Sequence, residues 1–376
     1  MTDTAAPKAT PLNATHRALG ATMVDFGGWD MPLKYASDTE EHRAVRNKAG
    51  IFDLSHMGEV FYRGPQAGEA LDFALVGKYS TMKVGKAKYG VIVDADGHLM
   101  DDLITYRLAE DVFMVVPNAS NTPVVAPALI ERAAGFDVTL TNETDDWAII
   151  AVQGPEAEAI ITRVVEGEGQ AQAACDLGYY AIMPARIVGV DMWLARTGYT
   201  GEDGFEIFAP SSLATQVWEK TISEGDAFGL VPCGLAARDS LRLEAGMPLF
   251  GHEMSNALTP FDAGFGRLVA FKTKEDFFAR GALEAAAAQE PTRVLLGLTS
   301  QQRRPARAGY PVVDAEGAVI GQVTSGLPSV TLGYPIAMAY VDRNYADVGT
   351  ELSVDVRGKA LPFVVTATPF YTRRQD

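Results

Sequence analysis

Carboxylates set among apolar neighbours are the first residues of this chain with chemistry to offer. Glu206 stands in Phe205-Glu206-Ile207-Phe208, at the end of the stretch RTGYTGEDGFE (196–206). A carboxylate in such a row is costly to bury unless it is paired or hydrogen-bonded. By spacing alone, the plainer expectation is an edge strand that leaves Glu206 in water. The sharper one is a buried acceptor for the donors of a flat polar ligand, with Tyr199 across the hairpin packing on that ligand. Asp101 and Asp102, in LMDDLITYRL (99–108), form a second acidic locus. Period-two alternation sets Leu99, Asp101, Leu103, Thr105 and Arg107 on one face, and Met100, Asp102, Ile104, Tyr106 and Leu108 on the other. Asp102 therefore shares the greasier face, where an aspartate either sits at an exposed strand start or is held in a site with an altered pKa. Arg238 and Arg242 lie one helical turn apart, a spacing that suits a solvated face with Asp239 and Glu244 as neighbours. Facing a cleft, either arginine could take a carboxylate in bidentate fashion.

The elements that must position these groups can be read from periodicity and punctuation. The 196–206 stretch reads as two strands around a tight turn, with Gly201-Glu202-Asp203-Gly204 as the turn chemistry. Asp101 and Asp102 lie on the second arm of a hairpin turning at Asp94-Ala95-Asp96-Gly97. SDTEEHRAVRNKAG (37–50) reads as a helix with Ser37 or Asp38 as N-cap, an acidic first turn and Gly50 as C-cap. Residues 1–9 read as a disordered tail. Further helices are expected after Asn13 and over 67–75, 122–134, 211–224 and 234–245, the last stopped by Gly246 and Pro248. After residue 285 the composition shifts to short strands and Gly/Pro turns, an all-β terminal module of barrel or jelly-roll type.

Composition narrows the function classes. The 376 residues carry a net charge of −16 with 47% hydrophobic and 21% charged positions, which describes a soluble globular chain long enough for two or three cores. That charge argues against nucleic acid and anionic membrane as partners, and any anionic ligand needs local arginines. Two cysteines, Cys175 and Cys233, and five histidines are scattered without metal-ligand spacing, so neither a zinc site nor a disulfide framework is expected. With no signal-like segment and no spanning apolar run, a cytoplasmic location is expected.

Eight strings recur in order: FGGWDMP (26–32), IFDLSHMGE (51–59), DDLITY (101–106), VQGP (152–155), RTGYTGEDGFE (196–206), GLAARDSLRLEAGMPLFGHEM (234–254), VTSG (323–326) and TLGYPIAMAYV (331–341). Together, from about residue 10 to residue 371, they resemble the T-protein family of the glycine cleavage system, the tetrahydrofolate-dependent aminomethyltransferases. Pro117, Cys233 and Pro328-Ser329-Val330 depart from the family's usual residues. The resemblance implies an α+β fold of three domains around a central folate-binding hole. Its domains would be 1–54 with 145–250, 55–144 with 251–285, and a jelly-roll-like 286–376. It also implies that Glu206 grips the donor edge of the pterin, that Tyr199 packs on the folate and that Arg238 serves the same site. Asp102, with Asp101 beside it, would supply the essential carboxylate, and Asn118 and Tyr371 would lie near the folate.

The implied reaction takes an aminomethyl group from the dihydrolipoyl arm of the H-protein to tetrahydrofolate and releases ammonia, with no metal, flavin or nicotinamide. Two alternatives share the fold. One is a folate-dependent demethylase of a methylated amine or sulfonium compound. The other is a non-enzymatic folate-binding factor for iron–sulfur assembly, against which the absence of a KGCYxGQE-type motif counts. A module from a flavin oxidase is not expected, because no GxGxxG segment precedes the folate module.

Overall fold

A computed structural model describes residues 6–373, and the chain gathers into two compact units. The first comprises residues 1–71, 79–89 and 103–238, and the second residues 72–78, 90–102 and 239–376. The expected N-terminal tail falls partly outside the described residues; Lys8–Ala9 is a short strand, parallel to Trp29–Lys34.

The first unit is built on a six-stranded sheet in the order Ile182–Ile187, Val190–Ala195, Gly204–Pro210, Trp147–Gln153, Ala49–Asp53, Leu230–Pro232. Its pairs are antiparallel, except that Leu230–Pro232 runs parallel to Ala49–Asp53. Alternation decides which side of this sheet is greasy. Ile150, Val152, Leu194, Phe205, Ile207 and Ala209 point to one side and join Ile160, Ile161, Val164, Val217 and Trp218 of the helices Ala157–Val164 and Ala214–Gly225 in one core. Removing each of the larger aliphatic or aromatic side chains from water is worth about 2 kcal/mol. Glu206 and Phe208 fall between those core positions and so face the other side.

A five-stranded sheet follows the order Ala87–Val93, Leu99–Ala109, Val112–Pro117, Val60–Arg63, Thr139–Asn142. The turn at Asp94–Gly97 forms as expected, closed by Gly97 N–H to Asp94 O. The helix Asp38–Asn47 also forms, with the Ser37 side chain accepting from Glu40 N–H and acids in its first turn. Its C-cap is Lys48, however, and Gly50 is already in the strand Ala49–Asp53. There a Cβ would meet Cys233 Sγ and Val45, so close packing is what requires the glycine.

In the second unit, six antiparallel strands close a barrel in the order Arg293–Thr299, Pro335–Asp342, Val319–Pro328, Pro311–Val313, Glu351–Asp355, Ala360–Thr366. Gly297–Thr299 pairing with Val364–Thr366 seals it. Its interior holds Leu298, Val312, Val323, Ala339, Val354, Phe363 and Val365. Of the two forms the sequence allowed for this module, the molecule takes the closed barrel, which leaves no open sheet edge.

Candidate functional site

The hairpin around residue 200 is wider than a tight turn. Its strands end at Ala195 and restart at Gly204, leaving a loop over 196–203 whose polar residues nearly all have a structural task. Arg196 Nε donates to Asp203 Oδ1 at 3.0 Å, and its Nη1 caps the carbonyls of Cys175 and Leu177 at 3.0 Å, so the loop base is cross-braced. Arg46, from the helix Asp38–Asn47, donates to Thr200 O at 2.7 Å and to Glu202 Oε1 at 2.9 Å in a nearly solvent-free pair. Gln153, at the end of the apolar strand WAIIAVQ, fills the loop from inside. Its Nε2 donates to Thr197 O at 3.1 Å, and its Oε1 accepts from Thr200 Oγ1 at 3.0 Å. A Cβ on Gly198 or Gly204 would collide with that amide. The loop is thereby held as a rigid platform for Tyr199.

Glu206 lies on an interior strand, paired to Ala195 on one side and Ala151 on the other, and is 8% exposed. The edge-strand expectation therefore fails. Hydrogen bonds offset the cost of burial: Thr197 Oγ1 donates to Glu206 Oε2 at 2.5 Å, and Tyr106 OH reaches the same oxygen at 3.3 Å. Tyr106 also packs edge-on against Phe208, ring centroids 5.4 Å apart. Burial, and then the Glu206 charge, push the Tyr106 phenol well above its ordinary pKa, so it stays a donor. Among the described residues nothing donates to Glu206 Oε1, which leaves an acceptor on hand.

Arg238 stands beside this carboxylate, its guanidinium 4.9 Å from the Tyr199 ring centroid. Burial pulls its pKa below the ordinary guanidinium value, while Glu206 and Tyr199 act in the opposite sense. Its Nη1 is shut off from solvent and bonds to no described residue. The same is true of Nδ1 of His56, whose imidazole is influenced by Arg238. Asn118 follows the strand Val112–Pro117, and its carbonyl accepts from Asn121 and Thr122 N–H at the start of the helix Thr122–Arg132. The adjoining Ala119 packs with Trp29, Met31 and Leu235 of the Arg238 helix.

The first unit thus brings together Glu206, Tyr199 and Arg238. Asp101, Asp102 and Tyr371 belong to the second unit. Asp101 is fully buried and Asp102 half-buried, so at this end of the strand the greasier face is the more open one. Burial passes to the other face at Thr105 and Tyr106, where Phe208 covers the tyrosine. Tyr371 N–H donates to Glu244 O at 2.8 Å. The two arginines of the helix Leu235–Glu244 do not share a solvated face. Arg242 is 1% exposed and bound to Glu253 at 2.9 Å and Ser325 at 2.8 Å. A surface groove of about 450 Å³ in the second unit, lined by Phe261, Gly264, Gly266 and Arg343 among others, includes none of these groups. Sequence reasoning assigned no role to Tyr106, Thr197, Gln153 or His56. The signals were a tyrosine on the Asp102 face and a lone glutamine ending an apolar strand.

What the arrangement offers is an acceptor oxygen, an unpartnered guanidinium nitrogen and an aromatic ring, all buried or half-buried: a set suited to a flat heterocycle carrying both donors and acceptors. The sequence matches the GCVT N-terminal domain over residues 12–273 and the glycine cleavage T-protein C-terminal barrel domain over residues 293–372. It is 55% identical over 372 residues to an aminomethyltransferase of Streptomyces coelicolor, covering 98% of both chains. It is 51% identical over 367 residues to one of Saccharopolyspora erythraea, covering 98% of this chain and 99% of that one. The structure resembles the crystal structure of glycine cleavage system aminomethyltransferase T from Bartonella henselae with a TM-score of 0.90 at 36% identity, covering 98% of this chain and 99% of that one. A buried carboxylate–arginine–tyrosine group on an α+β scaffold with a closed C-terminal barrel thus coincides with full-length similarity, and the chain belongs to the aminomethyltransferase family of glycine cleavage T-proteins.

Proposed function

We propose that this aminomethyltransferase binds tetrahydrofolate through Glu206, Arg238 and Tyr199 and uses Asp102 as its working carboxylate. The observation that carries the reading is a pair of opposite needs: among the described residues both donors to Glu206 reach Oε2 and leave Oε1 open, and the buried Arg238 Nη1 meets no acceptor. A reduced pterin carries N–H donors and carbonyl and ring-nitrogen acceptors around its rim, so it fits both, and Tyr199 offers a face to stack on. When bound, the folate supplies the nucleophilic nitrogens that accept the one-carbon unit. Glu206, held at Oε2 by the hydroxyls of Thr197 and Tyr106, orients the donor edge through Oε1.

Asp102 is half-buried and so open to a substrate, whereas Asp101 is sealed from solvent. A carboxylate so placed can hold or move a proton and offset developing positive charge. Asn118 and Tyr371 are assigned to the folate surroundings on resemblance alone.

The one-carbon donor in this reading is the aminomethylated lipoyl arm of an H-protein, in glycine catabolism in the cytoplasm. No helix among the described residues is long and apolar enough to cross a membrane. The six-stranded sheet, the five-stranded sheet and the barrel favour a threefold division, 1–54 with 145–250, 55–144 with 251–285, and 286–376, each holding one of them, with a further three-stranded sheet of Lys8–Ala9, Trp29–Lys34 and Thr22–Phe26 in the first. The deciding experiment is ammonia release from aminomethylated H-protein with and without tetrahydrofolate. Release that depends on folate is expected. Folate-independent release, or turnover only with small methylated amines, would overturn the assignment.

A further inference from the structure

We infer that His56 is a further ligand-binding residue of the Glu206–Arg238–Tyr199 group, contributing an imidazole nitrogen to the same reduced pterin. The inference rests on the folate reading above and adds a residue that reading does not use. His56 is 3% exposed, and its Nδ1 is closed off from solvent with no hydrogen-bond partner among the described residues. Buried polar atoms are nearly always satisfied, and one left open calls for an explanation. Here a second open atom accompanies it, Arg238 Nη1, on a side chain whose charge acts on His56. The ring is not loose: Phe26 packs edge-on against it, centroids 5.7 Å apart.

The charges around His56 define what it can offer. Burial and the Arg238 charge hold the imidazole neutral, with its pKa down at about 4, although the Asp53 carboxylate pulls the other way. Asp53 itself is fully engaged by His16, Thr10 and Ser55 and has no lone claim on His56. A neutral imidazole can accept at one nitrogen and donate at the other, the tautomer being set by its partner. A ligand that satisfies His56 and Arg238 together must offer Arg238 an acceptor, while His56 can take either a donor or an acceptor according to its tautomer. The rim of a reduced pterin carries donors and acceptors side by side and so meets either tautomer.

Calorimetric titration with 5-formyltetrahydrofolate separates this inference from the reading beneath it. The wild-type chain is expected to bind. His56→Leu should weaken binding about tenfold or more, as expected for one lost buried hydrogen bond. It should leave the melting temperature of the unliganded protein unlowered, because it removes an unsatisfied group. His56→Asn, whose amide occupies the Nδ1 position, should stay within about threefold of wild type. Where His56→Leu does not fold, the imidazole ¹⁵N resonance of wild-type His56, identified by its absence in His56→Asn, should move on folate addition. Equal affinity in His56→Leu, or an unmoved resonance, overturns the inference while leaving the folate site intact. Failure of the wild-type chain to bind removes both.

Discussion

Two donors converge on Oε2 of Glu206 and, among the described residues, none reaches Oε1, so one half of the carboxylate is structural and the other is available for binding. Asp102 is assigned the opposite kind of task, chemistry without grip. Their conservative amides should therefore fail differently. Glu206→Gln is expected to weaken folate binding by about tenfold, the scale of a charge-assisted hydrogen bond. Asp102→Asn is expected to keep the dissociation constant and lose about a hundredfold or more in turnover. Calorimetry and the ammonia assay on the same two proteins check the split, and a turnover loss confined to Asp101→Asn would reassign the carboxylate.

Glu59 behaves differently again. Both its oxygens are buried without a partner among the described residues, and burial, helped by Asp145, raises its pKa well above the ordinary value. The folded state thus holds a proton that the unfolded state releases above about pH 4.5, so this residue costs stability as pH rises. Glu59→Gln should raise the melting temperature at about pH 8, with the gain fading toward about pH 4.5. A gain independent of pH would show that Glu59 is not protonated.

At the level of elements, the loop over 196–203 shows how local sequence and distant packing divide the work. Arg196 and Asp203 brace it from within, but Arg46 and Gln153 arrive from elsewhere in the chain. Gly198 is required because the Gln153 amide occupies the space a side chain would fill. Gly198→Ala is expected to cost about 1–3 kcal/mol in urea unfolding and to loosen folate binding through Tyr199. Adding Gln153→Ala should recover part of the packing loss, a coupling that a double-mutant cycle measures. The strands on either side of this loop were readable as strands; the neighbour on the far side of Gly204–Pro210 was not, since pairing with Trp147–Gln153 joins segments some sixty residues apart in the chain.

At the scale of the molecule, the second unit is secured through charged groups as well as its apolar barrel. Arg242 bridges Glu253 and Ser325, and Glu244 accepts from Ser329 at 2.6 Å and Thr331 at 2.7 Å. Both partners of the Arg242–Glu253 pair are buried, so removing one strands the other. Arg242→Ala is expected to cost about 3–5 kcal/mol in chemical denaturation of the whole chain. The paired change Arg242→Met with Glu253→Met should cost less, because no uncompensated charge remains.

By itself, the sequence determined the strand and helix types, the facing of Glu206 away from Phe205 and Ile207, and the strings that mark the family. Those are properties of spacing, because a period of two or of 3.6 follows from backbone geometry alone. Only the tertiary structure decided what covers each face. It made the Glu206 strand an interior one, sent Arg242 into an ion pair and Arg238 toward Tyr199, and left His56 beside Arg238. Periodicity names the side on which a group lies. The desolvation and the partner it meets there come from segments distant in the chain.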